Sequence, residues 1–166
     1  MIKQMSREHM HAFFKQFQYD PMAENTPDPK PYIYNVDAVN RYYDQHVNQG
    51  KIHFAVFLDD AIIGDVYLKH FNSADKSCEL GIYLVNDNYK GSGYGTQAEQ
   101  LVLDHTFRNM DIDVIRADTL IKNERSRRAL EKAGFIIVRT DAERIYMECR
   151  KQRRDGIRDT NSDESA

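Results

Sequence analysis

Three alternating glycines, Gly91, Gly93 and Gly95, follow an apolar run from Leu80 to Val85 and precede a helical pattern from about Thr96. Strand, glycine-rich turn and helix start together make a cradle for phosphate. Glycines let the backbone approach a ligand closely, and the free N–H groups of a helix's first turn point at it with the positive end of the dipole. Adjacent amides in such a turn also form an anion-binding nest. Lys90 adds a cation that a plain turn does not need. A Walker loop requires a Lys after its last glycine, and Thr96 follows Gly95 here; a dinucleotide fingerprint requires a third glycine where Thr96 stands. The competing reading of residues 90–96 is an ordinary loop and helix start. Upstream, Glu79 lies inside the apolar run and shares a strand face with Val85, which makes it a candidate general base. Its plain reading is an exposed carboxylate on a half-wet sheet. Asp65, on the neighbouring strand, is the rival base.

These residues need strands and helices to hold them. Met1 to Met5 reads as a short strand, and Ser6 caps a helix carrying Met10, Phe13, Phe14 and Phe17 at helical spacing. All four prolines fall between Asp20 and Pro31, where they break any helix. A second helix starts near Val36 and stops at Gly50. Residues 52–58 and 61–68 read as a tight hairpin, and Ser77 to Val85 as the third strand of an antiparallel meander. A helix over 96–109 follows, with Ala98, Leu101, Val102, His105 and Thr106 facing inward; then come a strand over 113–120, a helix over 123–133 closed by Gly134, and a hairpin of 135–139 with 144–149. The order gives an α+β fold, a sheet with helices packed on it. Residues 1–149 read as one domain and 150–166 as a polar, disordered tail.

Composition narrows the function classes. The chain has 166 residues and a formal net charge of -3, which gives no global attraction for nucleic acid or anionic membrane. No apolar run approaches the length of a membrane span, and the first ten residues carry no signal-peptide core. The two cysteines, Cys78 and Cys149, lie in strand-like runs without metal-ligand spacing, and the six histidines form no paired motif. The expectation is a cytoplasmic protein with buried thiols and no metal.

Lys90-x-x-Gly93-x-Gly95 resembles the Arg/Gln-x-x-Gly-x-Gly/Ala signature with which the GNAT superfamily of acetyltransferases holds the pyrophosphate of acetyl-CoA. Val85 stands five residues before the basic position, where that family ends its fourth strand. Asn123-x-x-Ser126 followed by Leu130-Glu131-Lys132-Ala133-Gly134-Phe135 is similar to the closing helix of the ribosomal-protein and spermidine N-acetyltransferase branch. The resemblance covers roughly residues 50–140. It implies a mixed, mostly antiparallel sheet flanked by about four helices, with two strands splayed apart to form the acetyl-CoA cleft. It implies that Tyr83, Leu84 and Val85 bind the pantetheine arm through backbone groups, that Lys90, Gly91, Ser92, Gly93, Tyr94, Gly95 and Thr96 hold the pyrophosphate, and that Asn123 lies near the cofactor. Glu79 becomes the catalytic base at this family offset, and Ser126 a partner for the leaving thiolate. Read plainly, Asn123 is a helix cap and Ser126 a first-turn serine. Many members carry a Tyr general acid where this chain has Leu130, so Ser126, a water or Tyr146 must supply the proton. Lys90 replaces the usual Arg or Gln with a point charge rather than a planar fork. Arg127 and Arg128 read as solvated, with a contact to the 3′-phosphate of CoA as the alternative.

The proline-rich loop and second helix carry Tyr19, Tyr32, Tyr34, Tyr42 and Tyr43 beside Asp20, Glu24, Asp28 and Asp37. Aromatic walls with carboxylates suit a cationic amine acceptor; two amphipathic helices packed on a sheet would show the same residues. The resulting expectation is direct transfer of an acetyl group to a primary amine of a small molecule or protein N-terminus, in a ternary complex and by analogy as a homodimer. A non-catalytic acyl-CoA-binding module on the same fold, and a dinucleotide-type domain, are the alternatives.

Overall fold

A computed structural model describes residues 1–25 and 30–151. Pro27, Asp28 and Pro29 of the proline-rich loop, and the polar tail from residue 152, lie outside the described residues.

Seven strands and four helices occur among the described residues, in the order β1 (Ile2–Gln4), α1 (Arg7–Phe14), α2 (Val36–Asn48), β2 (Ile52–Leu58), β3 (Ala61–Asn72), β4 (Ser77–Leu84), α3 (Tyr94–Asn109), β5 (Val114–Leu120), α4 (Glu124–Ala133), β6 (Ile136–Thr140) and β7 (Arg144–Arg150). Local chemistry sets the helix ends. The Ser6 hydroxyl accepts from the His9 N–H at 3.2 Å, while His9 Nδ1 accepts from the Ser6 N–H, so two orphan groups at the start of α1 satisfy each other. Asn35 and Asn123 cap α2 and α4 through their side-chain oxygens, and Gly134, at φ 113°, closes α4.

The strands form one sheet in the order β1-β2-β3-β4-β5-β7-β6. All its pairs are antiparallel except β4 with β5. Alternation of side chains sends Phe54, Val66, Leu68, Cys78 and Leu80 to one face, under α3 and α4, where the large core lies. The opposite face carries Ala55 beneath Met10 of α1 and Val39 of α2. The mixed, mostly antiparallel α+β architecture is thus the expected one.

Three boundaries and one helix face depart most from expectation. Helix α3 starts at Tyr94, two residues before Thr96, because Gly93 adopts φ 86° and acts as its N-cap. Its inner face is Ala98, Glu99, Val102, Leu103, Thr106 and Phe107, rotated from the expected stripe; Leu101 is exposed. Strand β3 continues to Asn72, and β7 to Arg150, one residue into the stretch assigned to the tail. No described helix is long and apolar enough to cross a membrane. Both cysteines are buried, and no disulfide joins them.

Candidate active site

The glycine-rich turn sits where β4 hands over to α3. Gly91 and Gly93 adopt φ of 79° and 86°, and a Cβ added at either would meet no heavy atom within 4 Å. The turn needs left-handed backbone and leaves open space beside it. The Gln97 N–H donates to the Gly93 carbonyl at 3.0 Å and opens the helical ladder. The N–H groups of Tyr94, Gly95 and Thr96 therefore have no partner within the helix. A cavity of about 300 Å³ lies against them, lined by Lys90, Gly91, Gly93, Gly95 and Thr96, with Asn123 and Ser126 across from α4. Ser92 is exposed and does not line it. The Tyr94 ring turns away to pack against the core, so this residue contributes backbone only.

Lys90 is not a bare cation. Its ammonium lies 3.0 Å from Asp20 and 2.8 Å from Asp87, and Arg125 reaches the same Asp20 oxygen at 3.1 Å. Burial works against a charged Asp20, but hydrogen bonds from Lys90 and the Met22 N–H, with the charges of Lys90 and Arg125, outweigh it and hold its carboxyl below the usual range. Lys122 holds the neighbouring residues, which form a strap over 20–24, by donating to the carbonyls of Pro21 and Glu24.

The parallel pairing of β4 with β5 stops at Glu79 with Arg116. Beyond it the strands part, leaving a cavity of about 260 Å³ lined by Leu80 to Tyr83, Ala117 to Leu120, Asn123, Ser126 and Leu130. The Val85 N–H donates to Ile63 at 3.0 Å, and the Val85 carbonyl accepts from the Gln18 N–H at 2.8 Å. This corrects the expectation for Val85, whose backbone N–H is already spoken for. It also fixes the phase of the strand. In an antiparallel pair, hydrogen-bonded positions alternate, so Tyr83, in register with Asp65, spends its backbone groups on β3. Ile82 and Leu84 turn theirs into the gap, together with the Leu80 carbonyl, while the Leu80 N–H serves the last parallel pairing with Arg116. Leu84 keeps its expected place, Tyr83 takes part through its ring, and Leu80 and Ile82 are additions that the sequence reading missed. At Gly81 an added Cβ would lie 2.3 Å from Tyr67 Cζ; the bare backbone lets the Tyr67 ring cross the strand at the mouth of the gap.

On the helix-pair face a third cavity, of about 290 Å³, is walled by Phe13, Phe14, Phe17, Tyr32, Tyr42 and Tyr83, with Asp65 and Glu24 as its carboxylates. Asp65 is 2% exposed. Burial raises its pKa, and a hydrogen bond from His53 at 2.8 Å opposes that. Glu79 is placed differently: its carboxylate lies 2.9 Å from His70 and 3.6 Å from Lys69, about a third exposed, and it lines none of the three cavities. The Tyr146 hydroxyl donates to Asp141 at 2.9 Å, outside the same cavities. Tyr83 lines all three. Anion cradle, splayed strands and aromatic cavity thus meet at one ring. Such a site can seat an extended phosphorylated arm against free strand amides and bring its end to a group held near Asp65.

Glu99, in the second turn of α3, also lines the cradle cavity; it is 1% exposed, and its Oε2 has no hydrogen-bond partner among the described residues. Burial pushes its carboxyl up to about 8. A group raised above its unfolded value near 4.5 gives stability present below that value and lost as pH rises through about 8. Glu99→Gln should therefore raise Tm relative to the parent at pH 8.5, with a much smaller effect at pH 4.5, in paired thermal melts. Equal shifts at both pH values would remove the linkage. Among the described residues, no group of three or more His, Cys, Asp or Glu could hold a metal ion.

Residues 1–136 match the family model described as the Acetyltransferase (GNAT) domain. The chain belongs to the GNAT family. The GNAT chain is 32% identical over 100 residues to the probable N-acetyltransferase YjcK of Bacillus subtilis (strain 168), a stretch covering 58% of this chain and 55% of that protein. It is 27% identical over 106 residues to the uncharacterized N-acetyltransferase YnaD of the same organism, covering 62% of this chain and 61% of that one. The match thus spans little more than half of either relative. Among solved structures, AAC(6')-Ib in complex with paromomycin and acetyl-CoA superposes with a TM-score of 0.78 at 16% identity, over 93% of this chain and 95% of that one. A spermidine N-acetyltransferase SpeG chimera from Vibrio cholerae and hSSAT gives 0.74 at 16% identity, over 92% and 95%. At such identity the likeness is one of fold, and it extends across the first fifty residues, where the sequence carries little motif.

Proposed function

We propose that this chain is an acetyl-CoA-dependent N-acetyltransferase whose acceptor is a primary amine with an apolar body. The observation that carries the reading is Tyr83, the shared wall of the cradle, the splayed gap and the aromatic cavity. The fit of acetyl-CoA rests on the orphan N–H groups of Tyr94, Gly95 and Thr96 for its diphosphate and the gap-facing groups of Leu80, Ile82 and Leu84 for its pantetheine arm. Asn123 and Ser126 border both cofactor cavities. Acetyl-CoA supplies an acetyl thioester whose carbonyl carbon the amine attacks directly, giving an amide and free thiol.

The chain's own work is to orient the two substrates and to move protons. An alkylamine with a pKa near ~10 arrives as an ammonium ion and must lose a proton before its lone pair can attack. Asp65 is positioned to take it, because its carboxylate borders the cavity where the amine would lie. Glu79, committed to Lys69 and His70, is the less favoured base. Ser126, in the gap, is placed to hydrogen-bond the departing thiolate where Leu130 offers no proton. Seven aromatic rings, Tyr19 included, and two carboxylates favour one ammonium group on an apolar frame, through cation–π and Coulomb attraction. Among the described residues this wall carries two carboxylates, which suits one ammonium group better than several.

The experiment is a CoA-release assay over phenylalkyl and aliphatic monoamines, spermidine, aminoglycosides and N-terminal peptides. Apolar monoamines should give the highest kcat/KM. Acetyl-CoA binding without transfer to any amine would instead mark a non-catalytic acyl-CoA-binding module, and preference for polycations would refute the acceptor class.

A further inference from the structure

We propose that a hydrogen-bonded chain, Lys51–His46–His53, keeps the Asp65 carboxylate charged and aimed into the aromatic cavity, so that His46 and His53 are positioning residues for acetyl transfer. The inference rests on the reading of Asp65 as the proton acceptor.

The contacts run inward from the surface. Lys51 Nζ lies 3.2 Å from His46 Nε2, His46 Nδ1 lies 2.9 Å from His53 Nε2, and His53 Nδ1 lies 3.0 and 2.8 Å from the two Asp65 oxygens. An ammonium has no lone pair, so Lys51 donates and His46 Nε2 is bare. The His46 proton then sits on Nδ1 and donates to His53 Nε2. That leaves the His53 proton on Nδ1, facing the carboxylate. With Lys51 and Asp65 both ionised and both rings neutral, one proton arrangement satisfies every contact, with every donor pointing towards Asp65. Burial, with Lys51 and His53 nearby, lowers His46 to about 4, so this ring is a neutral link at physiological pH.

Three elements build the chain. Lys51 stands between α2 and β2, His46 in the last turn of α2, and His53 on β2; the β2–β3 register pairs His53 with Tyr67 and Ala55 with Asp65. His53 is stacked between His46, at 5.0 Å, and Tyr67, at 5.3 Å, which locks its ring plane. The other titratable groups facing Asp65 are Tyr42 from α2, Tyr67 from β3, Tyr83 from β4 and Glu24 from the strap, while Lys69 faces Lys51. Burial raises the three phenols, so they stay protonated and supply no charge. Burying a polar chain of this length is a poor way to stabilise a fold. Its effect is to offset the desolvation of one carboxylate in a dry cavity. In turnover the ammonium N–H bond breaks as an O–H bond forms on Asp65, and the proton returns to water before the next cycle.

The test is the pH profile of kcat/KM on the best amine from the acceptor panel. His46→Phe removes the donor to His53 and disfavours the ionised carboxylate, so the acid limb should move up by about half a pH unit or more. His46→Gln can both accept from Lys51 and donate to His53, and should return the limb towards the parent position. Lys51→Met should move it in the same direction as His46→Phe. A uniform loss of rate with an unmoved limb overturns the proposal and leaves the chain a packing feature. A second readout needs no substrate: ¹⁵N NMR of the resting protein should show both His46 and His53 as Nδ1–H tautomers. A proton on His53 Nε2 overturns the proposal even if acetyl transfer is confirmed. If no amine is acetylated, the Proposed function has failed, and the tautomers still decide the orientation of the chain.

Discussion

Gly93→Val should yield a folded protein that no longer holds acetyl-CoA. Gly93 sits at φ 86° as the N-cap of α3, with open space where a side chain would project. A β-branched residue costs roughly 1–2 kcal/mol in that left-handed conformation, which lowers Tm by about 2–8 °C in a domain of this size. The larger effect is on binding. Either the isopropyl group occupies the space beside the orphan N–H groups of Tyr94, Gly95 and Thr96, or the turn relaxes and those groups lose their common aim. Calorimetry should show acetyl-CoA affinity falling by more than ~100-fold, equivalent to about 2.7 kcal/mol. A variant binding within threefold of the parent would remove the cradle from the site.

Asp65→Asn should separate catalysis from binding. The amide still accepts the His53 Nδ1–H hydrogen bond, and Asp65 lines the aromatic cavity rather than the cradle. Acetyl-CoA affinity should stay within about twofold of the parent, while kcat/KM falls by about 10²–10⁴, the range for loss of a general base. The pH dependence gives a second check. Only the ionised carboxylate can accept the amine proton, and its pKa is raised in the folded protein. Parent activity therefore falls as pH drops through that value, and the variant should lose this limb. Glu79→Gln is the control: full activity across pH keeps Glu79 out of the chemistry, whereas a loss matching Asp65→Asn would restore it as a base.

The glycines at 91 and 93, the cap at Asn123 and the stop at Gly134 were legible because each answers a local backbone need. The element order followed from periodicity in the same way. The hydrogen-bonding phase of β4 was not legible. Whether Val85 or Leu84 faces the gap depends on the pairing with Ile63 and Gly64, which a single strand does not encode. The histidines read as scattered because His46 and His53 meet only through packing of α2 on β2. Glu99 did leave a signal, an acid on the helical face of Val102, Leu103 and Thr106. The stripe expected from the sequence shares Ala98, Val102 and Thr106 with that face but takes Leu101 and His105 in place of Glu99, Leu103 and Phe107, because a helix with polar residues scattered around it gives periodicity a weak grip.

Asp20 gives the cradle a counter-ion of its own. Lys90 and Arg125 already have a carboxylate between them, so under the proposed function a diphosphate would trade places with it instead of neutralising naked charge. Affinity is then a difference between two sets of ion pairs, which blunts its response to ionic strength and gives small anions little foothold. Asp20 also lies on the same strand of chain as Tyr19 and Glu24, which border the acceptor cavity. A diphosphate that displaced Asp20 would therefore act on the same stretch of chain that walls the aromatic cavity.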